Sequence, residues 1–455
     1  MNKNLKISNK CLIITSFIFS LLLFSLTSTC QAFELRAIQQ GNIEKLHLLS
    51  NNNLPKKVIV TVHGGNYSFV KKILNIVKGI NAIGKYPQIK MHLVADTTYG
   101  RDRYRRDLIQ ANNWQSWVEL NENFVCRDPW QQDWGEIVRA KVQGFGEEQL
   151  TVLDSNRGRE LAKLPKILAD MWNCFYIKNP STQYSKGDYG GNIEVTPDNI
   201  LVVGDKITST FKRFLLRYGY SDNHVVLESN WLGVGHVDEY LSFCPNPKAP
   251  GGYTIVKADP AMALEMIRNA KESDFEQIGP SRNNQLFNAY SYKKLLKGIK
   301  DGGETSTVKL NEAVDRLINR NLEKLKKKII EVTGERDREF SVMSWPCLYT
   351  GSQSGNSLYR CKAILPGVVN MLVLQNHLVV PDCYFPLFNN YIRQVSAERG
   401  LVAHFVDDMM YHQLQGEIHC GTNIVRHPNQ FMVTRKHLER MKRIRKTFKA
   451  LHGSE

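Results

Sequence analysis

Cysteine is scarce and scattered in this chain, nine in 455 residues, with no CxxC pair and no dense cluster. That spacing excludes a zinc site built on thiolates and a disulfide framework. Tandem repeats and low-complexity tracts are absent as well, which excludes a repeat array. No zinc finger, RNA-recognition signature or helix-turn-helix pattern occurs, so no sequence-specific nucleic-acid binding is expected despite a net charge of +16. The apolar run from Cys11 to Leu26 falls short of the about 20 residues that span a bilayer.

Lys3, Lys6 and Lys10 precede that run, and small or polar residues follow it. This is the pattern of a secretory signal peptide over residues 1–32, cleaved after Ala32, which makes the mature protein secreted or periplasmic. Thr29 ahead of Cys30 does not fit a lipoprotein box. Without the three lysines the mature chain carries +13, which predicts affinity for acidic surfaces or polyanions. Seven cysteines remain (Cys126, Cys174, Cys244, Cys347, Cys361, Cys383 and Cys420), and an odd number in an exported protein leaves at least one thiol unpaired. The composition, 42% hydrophobic and 23% charged, is that of a globular protein with a large core.

After a short polar lead-in over 33–55, Val58 to Val62 alternates and is β-rich, Asn66 to Ile83 has helical periodicity and Met91 to Ala95 is again strand-like. Similar strands recur at Leu150 to Leu153, Ile193 to Val195, Leu201 to Val203, Val225 to Leu227, Met371 to Leu374 and Leu401 to Val406, with helical segments between several of them. Residues 270–306 are polar and read as a long surface excursion. Beyond them Val314, Leu317, Ile318, Leu322, Leu325 and Ile329 form one helical stripe, and Lys324, Lys326, Lys327 and Lys328 a solvated face.

Three segments carry chemistry. In WLGVGHVDEYLSF (Trp231 to Phe243), His236 and Asp238 are two apart, so an extended backbone points both to one side and Val237 into packing. Alone, such a pair is more often a structural contact than a site. In GEIHCGTN (Gly416 to Asn423), two glycines bracket Cys420, a thiol that becomes a nucleophile only beside positive charge or a base. His419 next to it points to the opposite face of an extended chain, which leaves His236 as the better base; a buried structural cysteine or one half of a disulfide is the plain alternative. In WQQDWGE (Trp130 to Glu136), Asp133 closely follows an aromatic ring, and a planar cation needs carboxylates for its nitrogens and an apolar wall for its stem.

These three blocks, together with LDSNRGRELAKLP (Leu153 to Pro165), GGNIEVTP (Gly190 to Pro197) and LPGVVNMLVL (Leu365 to Leu374), resemble the catalytic domain of the calcium-dependent peptidylarginine deiminases of animals. The matches run from Lys57 to His427, which places the catalytic domain at 56–434. The resemblance implies an α/β fold, a five-module α/β propeller of the pentein, guanidine-modifying type. It implies that Cys420 is the nucleophile, His236 the general acid and base, and Asp133 and Asp238 the guanidinium clamp. It also implies that Trp130 packs on the arginine stem, while Arg159, with Arg157 beside it, holds the peptide backbone of a protein or peptide substrate.

For calcium, the resemblance implies one site on the side chains of Gln132, Glu136 and Glu194 with main-chain oxygens near Gly190 and Ile193, a set of oxygen donors. A second family site matches Asp154 and Ser155, but Trp134 stands where a carboxylate is expected and Gly158 where an asparagine is, so one retained site is the expectation. The animal proteins carry two immunoglobulin-like domains ahead of this domain, whereas about two dozen residues separate Ala32 from the first matching strand. Residues 435–455 form a basic extension with eight Lys or Arg, in which Met441, Ile444, Phe448 and Leu451 share a helical side. Such a helix either closes its own domain or docks on an anionic membrane or acidic protein.

Three rivals remain. A cysteine protease or transglutaminase-like acyl transferase usually places its cysteine before its histidine and needs an oxyanion hole, not a second acid. A relative acting on free or methylated arginine or agmatine would lack the role given to Arg159. A basic surface-binding protein with a retired site would have lost one of the four catalytic residues, and all four are present.

Overall fold

A computed structural model describes residues 42–279, 288–355, 357–440 and Arg443. The proposed signal peptide and most of the basic extension, including Met441, Ile444, Phe448 and Leu451, lie outside the described residues. The fold is mixed α/β. Five of its sheets repeat one pairing scheme, in which a first strand lies antiparallel to a second and a crossover brings the third parallel to that second strand.

In chain order the first of these sheets joins Gly135–Val142, Gln149–Asp154 and Phe175–Ile177, with helix Leu164–Met171 in the crossover. The next joins Ile193–Val195, Leu201–Gly204 and His224–Leu227 around helix Ser209–Leu215. A third joins Leu241–Pro245, Tyr253–Asp259 and Val342–Pro346. Its crossover is the longest and includes helices Pro260–Asn269, Ala289–Lys300 and Thr305–Thr333. The fourth joins Leu372–Leu374, His377–Pro381 and Val402–Val406 around helix Pro386–Glu398. The fifth brings the chain's two ends together: Thr422–Phe431 pairs antiparallel with Asn53–Val62, which lies parallel to Lys90–Ala95 after helix Tyr67–Ile83. A hairpin, Tyr349–Ser354 with Ser357–Ala363, stands apart.

The expected strands coincide with these elements, except that Met371 and Leu401 lie one residue ahead of theirs, and the opening is β-α-β as its periodicity predicts. The second strands, such as Tyr253–Asp259 and His377–Pro381, are almost wholly buried, which suits their continuous apolar character. The stripe from Val314 to Ile329 is buried, while Lys326 and Lys328 pair with Glu323 and Glu331 on the outer side of the same helix. Two segments differ from expectation. The span 270–306 is not purely a surface excursion, because Leu296 and Ile299 on helix Ala289–Lys300 are buried in the main core. The lead-in contributes strand Ile43–Leu48, antiparallel to Gly135–Val142, with Ile43, Leu46 and Leu48 buried beneath it. At the other end, the start of the extension packs on its own domain: Leu438 closes on Gly252, and His437 Nε2 meets the Pro247 carbonyl at 3.0 Å. Among the described residues no helix is long and apolar enough to cross a membrane.

Candidate active site

Five site positions, four of them carrying residues singled out in the sequence, occupy equivalent places in the five sheets. Asp133 lies two residues ahead of the first strand Gly135–Val142, Gly190 and Gly191 just ahead of Ile193–Val195, and Asp238 three ahead of Leu241–Pro245. Cys420 lies two ahead of Thr422–Phe431, and Asn370 two ahead of Leu372–Leu374. The repeated entry into a first strand is therefore what gathers residues that are hundreds of positions apart.

Cys420 is at the floor of a cavity of about 570 Å³ whose walls include Trp130, Asp133, Arg159 and Tyr189. Its Sγ is 3.8 Å from Asp238 Oδ2. Its backbone is pinned twice: the Cys420 N–H donates to Asn370 Oδ1 (3.1 Å), and the His419 N–H donates to the Asn370 carbonyl (3.1 Å). Close approach is made possible by glycine. A Cβ on Gly416 would stand 2.4 Å from the Trp130 ring, and one on Gly191 would stand 2.7 Å from His236 Nδ1 and 2.8 Å from Asp238 Oδ2.

Each carboxylate of the expected clamp has one oxygen held by a basic side chain of the protein. Arg157 Nε lies 3.1 Å from Asp133 Oδ2, and His419 Nδ1 lies 2.8 Å from Asp238 Oδ2. Asp238 Oδ1 is buried without a hydrogen-bond partner among the described residues. His236 Nε2 donates to the Lys186 carbonyl at 2.9 Å, which leaves Nδ1 as the unprotonated nitrogen, and it too is buried without a partner. Burial lowers the His236 imidazole below its usual range despite the nearby Asp238. Burial also pushes Asp133 up to about 7, against the opposing charge of Arg157. The Cys420 thiol is held well above its usual range by burial and then by Asp238 and Asp133. Burial and the neighbouring acids thus both oppose ionisation of the thiol. None of the seven described cysteines is in a disulfide.

Three expectations change. His419 does not point away from the site: residues 417–422 form a turn, with the Gly421 N–H on the Glu417 carbonyl and the Thr422 N–H on that of His419, so neighbouring side chains converge on Asp238. Its imidazole is raised because Asp238 and Glu194 outweigh burial. His236 and Asp238 do share a side, but through a 3-10 turn at Val237–Glu239 with Val237 fully buried, not through a strand. Arg157 does not stand beside Arg159 at the surface. Asn156 and Arg159 both have left-handed backbone (φ 61° and 63°), which turns Arg157 inward onto Asp128 (2.9 Å), Asp133 and the Tyr189 ring, while Arg159 is 66% exposed at the cavity mouth. Asn370 was missed as a site residue, although the block containing it was recognised.

The first calcium set fits an ion. Glu136 and Glu194 are half-buried acids that line one small cavity of about 30 Å³ with Gln132 and Ile193, and Gln132 Nε2 donates to Glu136 Oε1 at 2.7 Å. Burial and then the charge of Glu194 drive Glu136 well above its usual range, and burial takes Glu194 up to about 7. Such crowded acids with an amide oxygen suit a hard cation. Gly190 is packed against both Gln132 and Glu136. Among the described residues no group of three or more His, Cys, Asp or Glu is arranged to hold a metal. The second set does not fit. Asp154 accepts from the Asn156 N–H (2.7 Å) and Tyr176 OH (2.6 Å), Ser155 donates to the Asp133 carbonyl (2.5 Å), and Trp134 is buried in the core.

Fold and site together define a mixed α/β protein with a buried thiol set beside paired carboxylates and an unpaired histidine nitrogen. A family model described as protein-arginine deiminase matches residues 106–432, and the chain belongs to that family. Human protein-arginine deiminase type-3 is 28% identical over 333 residues, covering 67% of this chain and 47% of that protein. Mouse protein-arginine deiminase type-1 is 32% identical over 331 residues, with the same two coverages. The chain thus spans about half the length of the curated relatives it matches. Among solved structures, a putative arginine deiminase from Porphyromonas gingivalis has a TM-score of 0.49 at 13% identity, covering 85% of this chain and 99% of that one.

Proposed function

We propose that this chain is a hydrolase that converts arginine residues of proteins or peptides to citrulline with release of ammonia. One observation carries the reading: the carboxylates of Asp133 and Asp238 each have one oxygen fixed by a basic side chain of the protein, and beside them Asp238 Oδ1 and His236 Nδ1 lack a hydrogen-bond partner among the described residues. A guanidinium is a planar cation with five N–H donors, the complement of such a set. The five repeated sheets, each delivering a site residue just ahead of its first strand, support a five-module α/β propeller of the pentein type.

The side chain enters past Trp130, and its guanidinium lies between the two carboxylates. Its charge offsets the carboxylates that hold Cys420 neutral, so the thiol gives up its proton to His236 Nδ1 only once substrate is bound. The thiolate attacks the guanidinium carbon from above its plane, with clamp and thiol already in place. The C–N bond to a terminal nitrogen breaks, His236 returns the proton to the departing ammonia, and a thiouronium remains on Cys420. Water, deprotonated by His236, adds to the same carbon. The C–S bond then breaks, leaving citrulline and the free thiol. Arg159 at the cavity mouth is placed for the peptide backbone on either side of the target residue. An ammonia-release assay on a blocked arginine peptide, free arginine and agmatine tests this: the peptide is expected to dominate kcat/KM, and equal turnover of agmatine would remove the role of Arg159.

Calcium would be held by Gln132, Glu136 and Glu194 with the main chain at Gly190 and Ile193. When bound it supplies positive charge that neutralises these crowded acids. Glu194 also faces His419, the residue that holds Asp238. Glu194→Gln is therefore expected to weaken calcium activation by about tenfold or more, the scale of losing a metal-site interaction, whereas Asp154→Asn leaves it nearly unchanged. Calcium titration of activity, alongside calorimetric titration of the metal, checks this. Full activity in excess chelator would assign the acids to a fixed hydrogen-bond network.

A further inference from the structure

The cavity above Cys420 continues into a second one. A more open hollow of about 650 Å³ adjoins it and shares Arg127, Arg159 and Glu160 with it. Phe124 and Val125 give the hollow an apolar side, and Ala162 and Lys163, on the turn Arg159–Lys163, give it an exposed one. Its acids are already engaged. Glu160 Oε2 accepts the Arg127 N–H at 2.5 Å, and Asp96 Oδ1 accepts from Thr97 Oγ1 at 3.5 Å. The cations are not: the side chains of Arg127 and Lys163 are exposed and have no ion pair among the described residues, and Arg159 comes no closer than 3.8 Å to Asp128. The lining holds three cations (Arg127, Arg159 and Lys163) against two acids (Asp96 and Glu160), and this net positive lining over an apolar side, continuous with a site that takes one residue of a longer chain, is complementary to an acidic peptide segment.

We propose that this hollow is a substrate subsite that takes the segment flanking the target arginine, with an acidic side chain against Lys163 and Arg127 and an apolar one on Phe124 and Val125. The proposal rests on the reading that peptidyl arginine enters the first cavity. It makes the protein selective for arginines with a nearby acid on one flank, because an extended chain leaving Cys420 past Arg159 runs directly into the hollow. The selectivity is electrostatic and partly exposed, so it is modest and falls with salt.

The test uses single-arginine peptides in which one aspartate, or asparagine as control, is scanned along both flanks, together with a blocked arginine amide too short to leave the first cavity. Aspartate on one flank is expected to raise kcat/KM about threefold to tenfold through KM, the range of a partly exposed ion pair. Lys163→Glu should abolish or invert that preference, and Ala162→Trp should blunt it, while both variants turn over the blocked amide as the parent does. Binding of the same peptides to Cys420→Ser protein, read by fluorescence anisotropy, should show the same preference without turnover. Equal binding of aspartate and asparagine peptides, or a Lys163→Glu effect that is the same for both, would overturn the subsite. A blocked amide that is never turned over would instead overturn the deiminase reading and leave the subsite to be decided by the binding measurement.

Discussion

Cys420→Ser is expected to abolish citrulline formation, lowering turnover by at least about a thousandfold, as loss of a nucleophile does in other covalent enzymes. Oxygen in this position meets the same two carboxylates and the same burial, but a hydroxyl ionises far less readily than a thiol, so the arriving guanidinium cannot release it. The fold should be unaffected. Cys420 is held through its backbone by Asn370, and serine keeps that N–H and nearly the same volume. Thermal unfolding is the control, and turnover near the parent value would remove Cys420 from the chemistry.

Asp238→Asn is expected to cost almost as much, about 2 to 5 kcal/mol or roughly thirtyfold to several thousandfold, the scale for truncating one partner of a buried charge pair. Its carboxylate meets His419 at 2.8 Å and Cys420 at 3.8 Å, so the amide loses the substrate's counter-charge and can turn a donor towards a donor. Asp133→Asn should follow the same course, leaving Arg157 on Asp128 alone. A purely structural role would not produce the accompanying sign reversal. Removing either carboxylate removes one of the charges that hold the thiol up, so Cys420 should react faster with iodoacetamide at neutral pH while turnover collapses. Unchanged alkylation together with a rise in KM alone would contradict the clamp.

The chemistry was legible in the sequence to the extent that local motifs hold it. The HxD spacing put His236 and Asp238 on one side, and the glycines about Cys420 marked a presented thiol. What misled was the assumption of extended backbone. The turn after Glu417 brings His419 back onto Asp238, and the left-handed residues Asn156 and Arg159 separate two arginines that read as neighbours. Asn370 had no signal of its own, since its role is a long-range contact to the Cys420 backbone. The strands were visible as short apolar runs, but their assembly was not. The sheet that closes the chain pairs Thr422–Phe431 with Asn53–Val62, and periodicity contains no information on such a contact. Only the resemblance pointed to five modules.

The central claim is that Cys420 attacks the guanidinium carbon of a peptidyl arginine. It is tested most directly by quenching the protein during turnover of a blocked arginine peptide with calcium present, then reading both partners by mass spectrometry. The account predicts a peptide adduct on Cys420 that decays to citrulline-containing peptide, with one ammonia released for each citrulline formed. Peptide recovered with its arginine intact, ornithine and urea as the products, or citrulline formed at the full rate with Cys420 unmodified throughout would contradict it.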